Sequence, residues 1–292
     1  MPEEPNLTRP LMRYHGGKWR LAPWIIGQMP RHRTYVEPFG GAASVLLRKP
    51  RCYSEVYNDM NGDVVNLFRV LRSDRAADLV EAVRLTPFAR DEFHLAYEAC
   101  EDPLESARRL VARSYMGFGS GLSINRQSTG FRSDSKKTGS TPSKDWQSFP
   151  EALANIAERM RGVVIENRPA VEVLMKHDAP DALHYIDPPY PHSTRSQKLS
   201  SGARHHRYAF EMDDGAHEEL LDTILRLRGR VMLSGYPHGA YDRKLADWRR
   251  VERLARADGG RARTEVLWLN FSEEAAAGPL FGLQGQIGAL HA

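Results

Sequence analysis

Short runs rich in β-branched and aromatic residues recur at both ends of the chain, at 34–37, 53–57, 163–167, 182–186, 230–233, 251–254 and 265–269. Helical patterns separate several of them, for example at 21–28 and 217–226. Strands that alternate with helices predict an α/β fold built on a mostly parallel sheet. The last two runs are joined by Ala257-Asp258-Gly259-Gly260, a turn-rich segment, so they are expected to close the sheet as an antiparallel hairpin.

The middle of the chain breaks this alternation. Residues 64–87 and 90–117 carry apolar side chains at helical spacing with no convincing strand, and 151–161 is helical again. Between them, 119–148 is rich in Gly, Ser, Thr and basic residues. The expected organisation is a discontinuous α/β domain (1–63 and 162–292) carrying a helical insert (64–161) with a flexible basic loop at 119–148.

Bulk properties exclude several classes. With 292 residues and 41% hydrophobic content, the chain can bury a substantial core. No apolar run approaches the roughly 20 residues that span a bilayer, and residues 1–10 are polar and acidic, unlike a secretory signal. Cys52 and Cys100 form neither a metal-ligand cluster nor a disulfide framework, and His205-His206 lacks companions at ligand spacing. A cytoplasmic protein without a metal is expected. The net charge of +4 permits a nucleic-acid partner without requiring one.

The densest chemical signal is Asp187-Pro188-Pro189-Tyr190, directly after the apolar run 183–186. That position is the carboxyl end of a predicted strand, the edge at which open α/β sheets bind ligands. Two successive prolines fix φ twice and remove two backbone donors. The turn is therefore stiff, and it presents the Asp187 carboxylate, the Pro188 carbonyl and the Tyr190 ring in set directions. This suits an exocyclic aromatic amine, whose lone pair is delocalised into its ring. A carboxylate and a carbonyl can each accept one N–H, localising the lone pair, while an aromatic ring holds the base; the rest is positioning and electrostatics.

A second constellation is Tyr35-Val36-Glu37-Pro38-Phe39-Gly40-Gly41-Ala42-Ala43-Ser44, a predicted strand end followed by paired glycines and a helix start. Such turns let a backbone approach a nucleotide-like ligand closely, although one alone is a weak signal. About twenty residues beyond Gly40, a second strand ends in Tyr57-Asn58-Asp59, where a carboxylate can meet ribose hydroxyls; Asp59 could equally cap the helix that follows. There is no Lys-Ser/Thr phosphate loop, so a nucleoside cofactor without a pyrophosphate, such as S-adenosylmethionine, fits better than ATP or NAD. Near the N-terminus, Arg13-Tyr14-His15-Gly16-Gly17-Lys18 could expose Lys18 to a ligand carboxylate, or simply start a solvated helix.

In this order, the segments resemble the Dam-type (alpha-class) S-adenosylmethionine-dependent DNA N6-adenine methyltransferases. The resemblance is carried by Tyr14-His15-Gly16-Gly17-Lys18, Tyr35 to Gly41, Asn58-Asp59-Met60-Asn61 and Asp187-Pro188-Pro189-Tyr190. It implies a Rossmann-like seven-stranded methyltransferase sheet with a reversed C-terminal strand, an inserted helical target-recognition domain, and adenine flipped out of double-stranded DNA. By the same resemblance, Tyr14 belongs to the cofactor segment, Lys18 would meet the methionine carboxylate of S-adenosyl-L-methionine, Glu37 with Pro38 and the Phe39, Gly40 and Gly41 backbone would line the methionine end, and Asp59 would hold the ribose. One departure is visible. Pro169 stands where the family often places an Asp against the cofactor adenine, which leaves Asn167 or backbone groups for that contact.

The insert also points to DNA. Residues 113–144 hold six basic residues, Arg113, Arg126, Arg132, Lys136, Lys137 and Lys144, against one acidic, Asp134, interleaved with Tyr115, Phe118 and Phe131. The basic groups can neutralise phosphates, while Asn125, Arg126, Gln127 and Arg132 can read base edges; a Ser/Gly/Lys loop without a sequence role is the plainer alternative. Beyond the catalytic loop, Arg195 opens a second basic stretch, at 193–208. A cognate restriction endonuclease is a partner the resemblance admits. Cytosine N4, RNA or a protein amide as the methylated group, and a non-catalytic DNA-binding protein on the same scaffold, are the competing readings.

Overall fold

The computed structural model describes residues 7–119, 130–133, 139–191, 210–256 and 262–273. Each β-type run of the sequence forms a strand: β1 Thr34–Glu37, β2 Ser54–Asn58, β3 Val163–Glu166, β4 Ala182–Ile186, β5 Arg230–Gly235, β6 Arg249–Arg256 and β7 Ala262–Leu269. They make one seven-stranded sheet in the order β3-β2-β1-β4-β5-β7-β6. The first five pair in parallel, whereas β7 runs antiparallel to both β5 and β6, as the expected terminal hairpin requires. The architecture is the expected seven-stranded α/β sheet with a reversed C-terminal strand. β4 is buried along its whole length, since it lies between β1 and β5 with both faces covered, and its Ala-Leu-His-Tyr-Ile reads accordingly as an almost unbroken apolar run. The chain switches sides of the sheet between β1 and β4, the place where such sheets open a ligand crevice.

The helices are α1 Ala22–Ile26, α2 Ser44–Arg48, α3 Gly62–Leu71, α4 Ala76–Leu85, α5 Arg90–Leu95, α6 Pro103–Met116, α7 Pro142–Gln147, α8 Phe149–Arg159, α9 Ala170–Lys176, α10 Asp214–Ile224 and α11 Gly239–Lys244. Their starts are written in the sequence. Asp102 accepts from Glu105 N at 2.8 Å with Pro103 opening α6, and Asp213 accepts from Ala216 N at 2.8 Å to open α10. None of the helices is long and apolar enough to cross a membrane, among the described residues.

Within 119–148, the expected loop, the segment Pro142–Gln147 is instead helical, because Thr141 caps it and Pro142 sits in its first turn. Phe131 bridges back to Gly117 at the end of α6. The helical stretch does not carry a core of its own. Leu79, Phe93, Leu110, Trp146 and Phe149 join Tyr35, Leu183 and Met232 of the sheet in one apolar cluster, and a second cluster packs α10 and α11 on β5 and β7.

A buried ionic knot fastens α8 to the sheet. The Arg159 guanidinium, 1% exposed, donates to both Glu55 oxygens at 2.7 and 3.0 Å and to the Leu46 carbonyl at 2.6 Å. Lys49 Nζ lies 2.6 Å from the same carboxylate. Removing one partner of such a pair strands a charge in the interior. Arg159→Leu is expected to lower unfolding stability by about 3–5 kcal/mol, read from chemical denaturation; an unchanged midpoint would contradict the knot's role.

Candidate active site

The carboxyl ends of β1, β2 and β4 and the segment before α1 enclose a cavity of about 380 Å³. Glu37 ends β1 on its floor. Its Oε2 accepts from Tyr35 Oη at 2.8 Å and from Leu46 N at 3.0 Å, and complete burial pushes its carboxyl up to about 8. Next in the chain comes the glycine turn. Gly41 and Ala43 take φ of 49° and 52°, left-handed values that cost Ala43 strain. A Cβ on Gly40 would overlap the Tyr57 ring, and one on Gly41 would come within 2.7 Å of the Tyr14 ring. Tyr57 cannot retreat, because its hydroxyl donates to the Gly41 carbonyl at 2.7 Å and its ring packs 4.3 Å from that of Phe68.

Asp59, just past β2, works mainly on the backbone. Oδ2 accepts from Gly41 N at 2.8 Å and Oδ1 from Asn61 N at 2.7 Å, so the carboxylate bridges the glycine turn and the start of α3. Burial raises its pKa. Each oxygen keeps a further lone pair, so a ligand hydroxyl can still be held. Asn58 stitches the neighbouring loops by donating to the Pro38 and Arg168 carbonyls at 2.8 and 3.0 Å.

The Asp187-Pro188-Pro189-Tyr190 loop follows β4. Asp187 Oδ2 lies 2.8 Å from Lys18 Nζ, while its Oδ1 is buried and accepts no hydrogen bond among the described residues. Burial pushes this carboxyl up to about 6, against the pull of Lys18. Lys18 is 6% exposed; it also donates to the Gly16 carbonyl at 3.0 Å and stands 4.9 Å over the Tyr190 ring. It is therefore not a solvated helix start: it lines the cavity with Asp187 and the Gly16 carbonyl as partners. Tyr190 sits edge-on to Tyr236 with ring centroids 4.5 Å apart.

Not every expected residue reaches the cavity. Asn167 is exposed and donates to the Asp59 carbonyl at 2.7 Å, leaving that wall to Pro169, Ala170 and Val171. Pro38 and Pro188 are buried beside the cavity, where Glu37, Phe39, Gly40, Gly41, Asp187 and Pro189 line it. Two residues expected on DNA are instead structural. Arg113, 4% exposed, faces inward from α6 to Asp63 at 3.1 Å and the Ala96 carbonyl at 3.2 Å. Tyr115 packs on Phe149 at 4.3 Å and donates to the Pro10 carbonyl at 2.7 Å. Arg132 is half-buried with Nη1 on the Tyr115 carbonyl at 3.0 Å. Asn125, Arg126, Lys136, Lys137 and Arg195 lie outside the described residues.

One residue that the sequence did not single out stands beside the loop at Asp187 to Tyr190. Glu265 of β7, 3% exposed, accepts from Tyr190 Oη at 2.6 Å and from Ser234 Oγ at 2.7 Å, and its Oε1 is 3.7 Å from Lys18 Nζ. A carboxylate directly before the apolar run Val266-Leu267-Trp268-Leu269 is the signal that could have pointed to it. Among the described residues, no group of three His, Cys, Asp or Glu side chains is placed to hold a metal ion.

Residues 14–240 match the D12 class N6 adenine-specific DNA methyltransferase family, and the chain belongs to it. It is 24% identical over 239 residues to a DNA adenine methylase of Salmonella typhi, covering 78% of this chain and 81% of that one. It is 25% identical over 247 residues to one of Vibrio cholerae, covering 81% and 84%. It is 23% identical over 239 residues to one of Escherichia coli (strain K12), covering 78% and 81%.

The crowding at the glycine turn is testable. Gly40→Ala is expected to lower unfolding stability by about 1–3 kcal/mol, since the added methyl forces Tyr57 out of its place. A thermal unfolding curve that overlays the parent's would refute the close packing.

Proposed function

We propose that the protein transfers a methyl group from S-adenosyl-L-methionine to N6 of an adenine flipped out of double-stranded DNA. The observation that carries this reading is Asp187 Oδ1, a buried carboxylate oxygen without a hydrogen-bond partner among the described residues, at the cavity that Glu37 and Asp59 also line. A buried acceptor in that condition costs free energy, unless a ligand N–H completes it.

The cavity suits the cofactor. Its volume of about 380 Å³ falls within the range of small-molecule sites. Glu37 would meet the cofactor's ammonium and Asp59 its ribose, with Phe39 and the Pro169 to Val171 wall against its apolar surfaces. When bound, the cofactor supplies an electrophilic methyl group. The protein supplies the geometry. Asp187 Oδ1 accepts one N6 hydrogen and the Pro188 carbonyl the other, which localises the nitrogen lone pair. Tyr190 holds the base, and the positive charge that develops on nitrogen lies beside a carboxylate in a site shielded from water. Binding of DNA is assigned to the helical segment, whose α6 end touches the cavity wall where Arg13 N donates to Ser114 Oγ at 2.7 Å.

Asp187→Ala is expected to abolish methylation, while calorimetric titration still shows S-adenosyl-L-methionine binding. Turnover near that of the parent would sink the mechanism. Mass analysis of nucleosides from treated DNA and RNA separates N6-methyladenine in DNA from cytosine and RNA products. Burial raises the Asp187 carboxyl to about 6, and protonation removes the negative charge that makes it a strong N–H acceptor and a partner for the charge developing on nitrogen. Activity is therefore expected to be present above that pH and to fall as pH drops through it, in a kcat profile at saturating substrates. A flat profile down to about pH 4.5, half a unit above the unperturbed range of an Asp, would exclude the assignment.

A further inference from the structure

We infer that Glu265 is a positioning residue for methyl transfer: from β7 it anchors the Tyr190 hydroxyl and shares the charge of Lys18 with Asp187, the carboxylate that receives the substrate amine. This rests on the methyl-transfer reading above.

The geometry is specific. Glu265 Oε1 receives Tyr190 Oη at 2.6 Å and Ser234 Oγ at 2.7 Å, from the catalytic loop and from β5. Both are shorter than a usual N–H bond and fit hydroxyls donating to a carboxylate. The Tyr190 side chain is held by its hydroxyl on Glu265 and its hydrogen bond with Asp187, by its edge on Tyr236 at 4.5 Å, and by Lys18 Nζ over its face at 4.9 Å. A ring that must hold a base has little use for freedom to swing, and misplacement of a holding group costs rate steeply.

Charge gives the second half of the argument. Lys18 Nζ lies between two carboxylates, 2.8 Å from Asp187 and 3.7 Å from Glu265. One ammonium shared in this way compensates each anion only in part. An ammonium compensated by Asp187 alone would draw more charge from that carboxylate and weaken it as an acceptor. The groups that face Asp187 are Lys18, Glu265, Glu37 of β1 and the Tyr185, Tyr190 and Tyr236 phenols. Of these, Lys18 holds the Asp187 carboxyl down, while Glu265 pushes it up. Near Glu265, Arg263 is engaged over the Tyr236 ring, and Arg253, its cross-strand neighbour on β6, lies over Trp24.

Glu265→Gln keeps an oxygen to accept from both hydroxyls and removes only the charge. It is expected to hold optimum turnover within about threefold, while the acid limb of kcat moves to lower pH by about half a unit or more. Glu265→Ala loses the anchor as well, and kcat is expected to fall about ten- to a hundredfold, with KM for S-adenosyl-L-methionine changed less than about twofold. Tyr190→Phe should then cost less in the Glu265→Ala background than in the parent, because the bond between the hydroxyl and Glu265 is lost only once. An acid limb of Glu265→Gln that overlays the parent's, or losses at Tyr190 and Glu265 that multiply, would overturn the inference. The titration of the Asp187 carboxyl, followed by carbon-13 NMR without cofactor or DNA, reads the same shift with no turnover involved. An inactive parent would thus refute the methyl-transfer reading, and an unmoved Asp187 titration in Glu265→Gln would refute the role of Glu265, even where the alanine variant fails to fold.

Discussion

Lys18 Nζ, 2.8 Å from Asp187 and 3.7 Å from Glu265, is the charge around which the site is arranged. Two carboxylates brought this close inside a protein repel each other and lose their hydration; a cation between them makes the arrangement tolerable. The three groups come from the segment before α1, the loop after β4 and the reversed strand β7. Each is delivered by an element whose own packing is settled elsewhere: β4 by its burial between β1 and β5, β7 by pairing on both sides.

The same logic governs the glycine turn. Asp59 spends its two oxygens on the Gly41 and Asn61 backbone, and Tyr57 closes on the space a Gly40 side chain would need. The cavity is therefore shaped before any ligand enters. Glu37 lies deep enough that burial holds a proton on it up to about pH 8, which leaves one buried charge fewer to balance in the empty pocket.

Much of this was legible along the chain because it is local. Asp187-Pro188-Pro189-Tyr190 follows a strand within four residues, and the turn chemistry at 257–260 announces the β6-β7 hairpin that the structure forms. The helix at Pro142–Gln147 was hidden by its Ser, Lys and Pro composition, although Thr141 before Pro142 is a start signal. Arg113 and Tyr115 were misplaced for a different reason. A charged or aromatic residue in a basic stretch does not reveal which face of its helix turns inward, and α6 buries both. Asn167 failed similarly, its amide being taken by the Asp59 carbonyl. Glu265 is the clearest limit. Its partners Tyr190, Ser234 and Lys18 lie far away in sequence, and only the sheet order brings them together.

That order has a consequence for how the enzyme comes into being. β7 is the last strand of the sheet in chain order, yet it takes an interior place, between β5 and β6. Long-range insertion of this kind is a late and slow step, because its contacts wait for the intervening chain to organise. Until β7 is seated, β5 presents an open edge, and Glu265 is missing from beside the Tyr190 hydroxyl and Lys18. The glycine turn and Asp59 come from β1 and β2, early in the chain, whereas Glu265 reaches Tyr190 only once the sheet is closed. Completion of the fold and readiness for chemistry are then one event, which keeps a half-made chain from carrying a finished site.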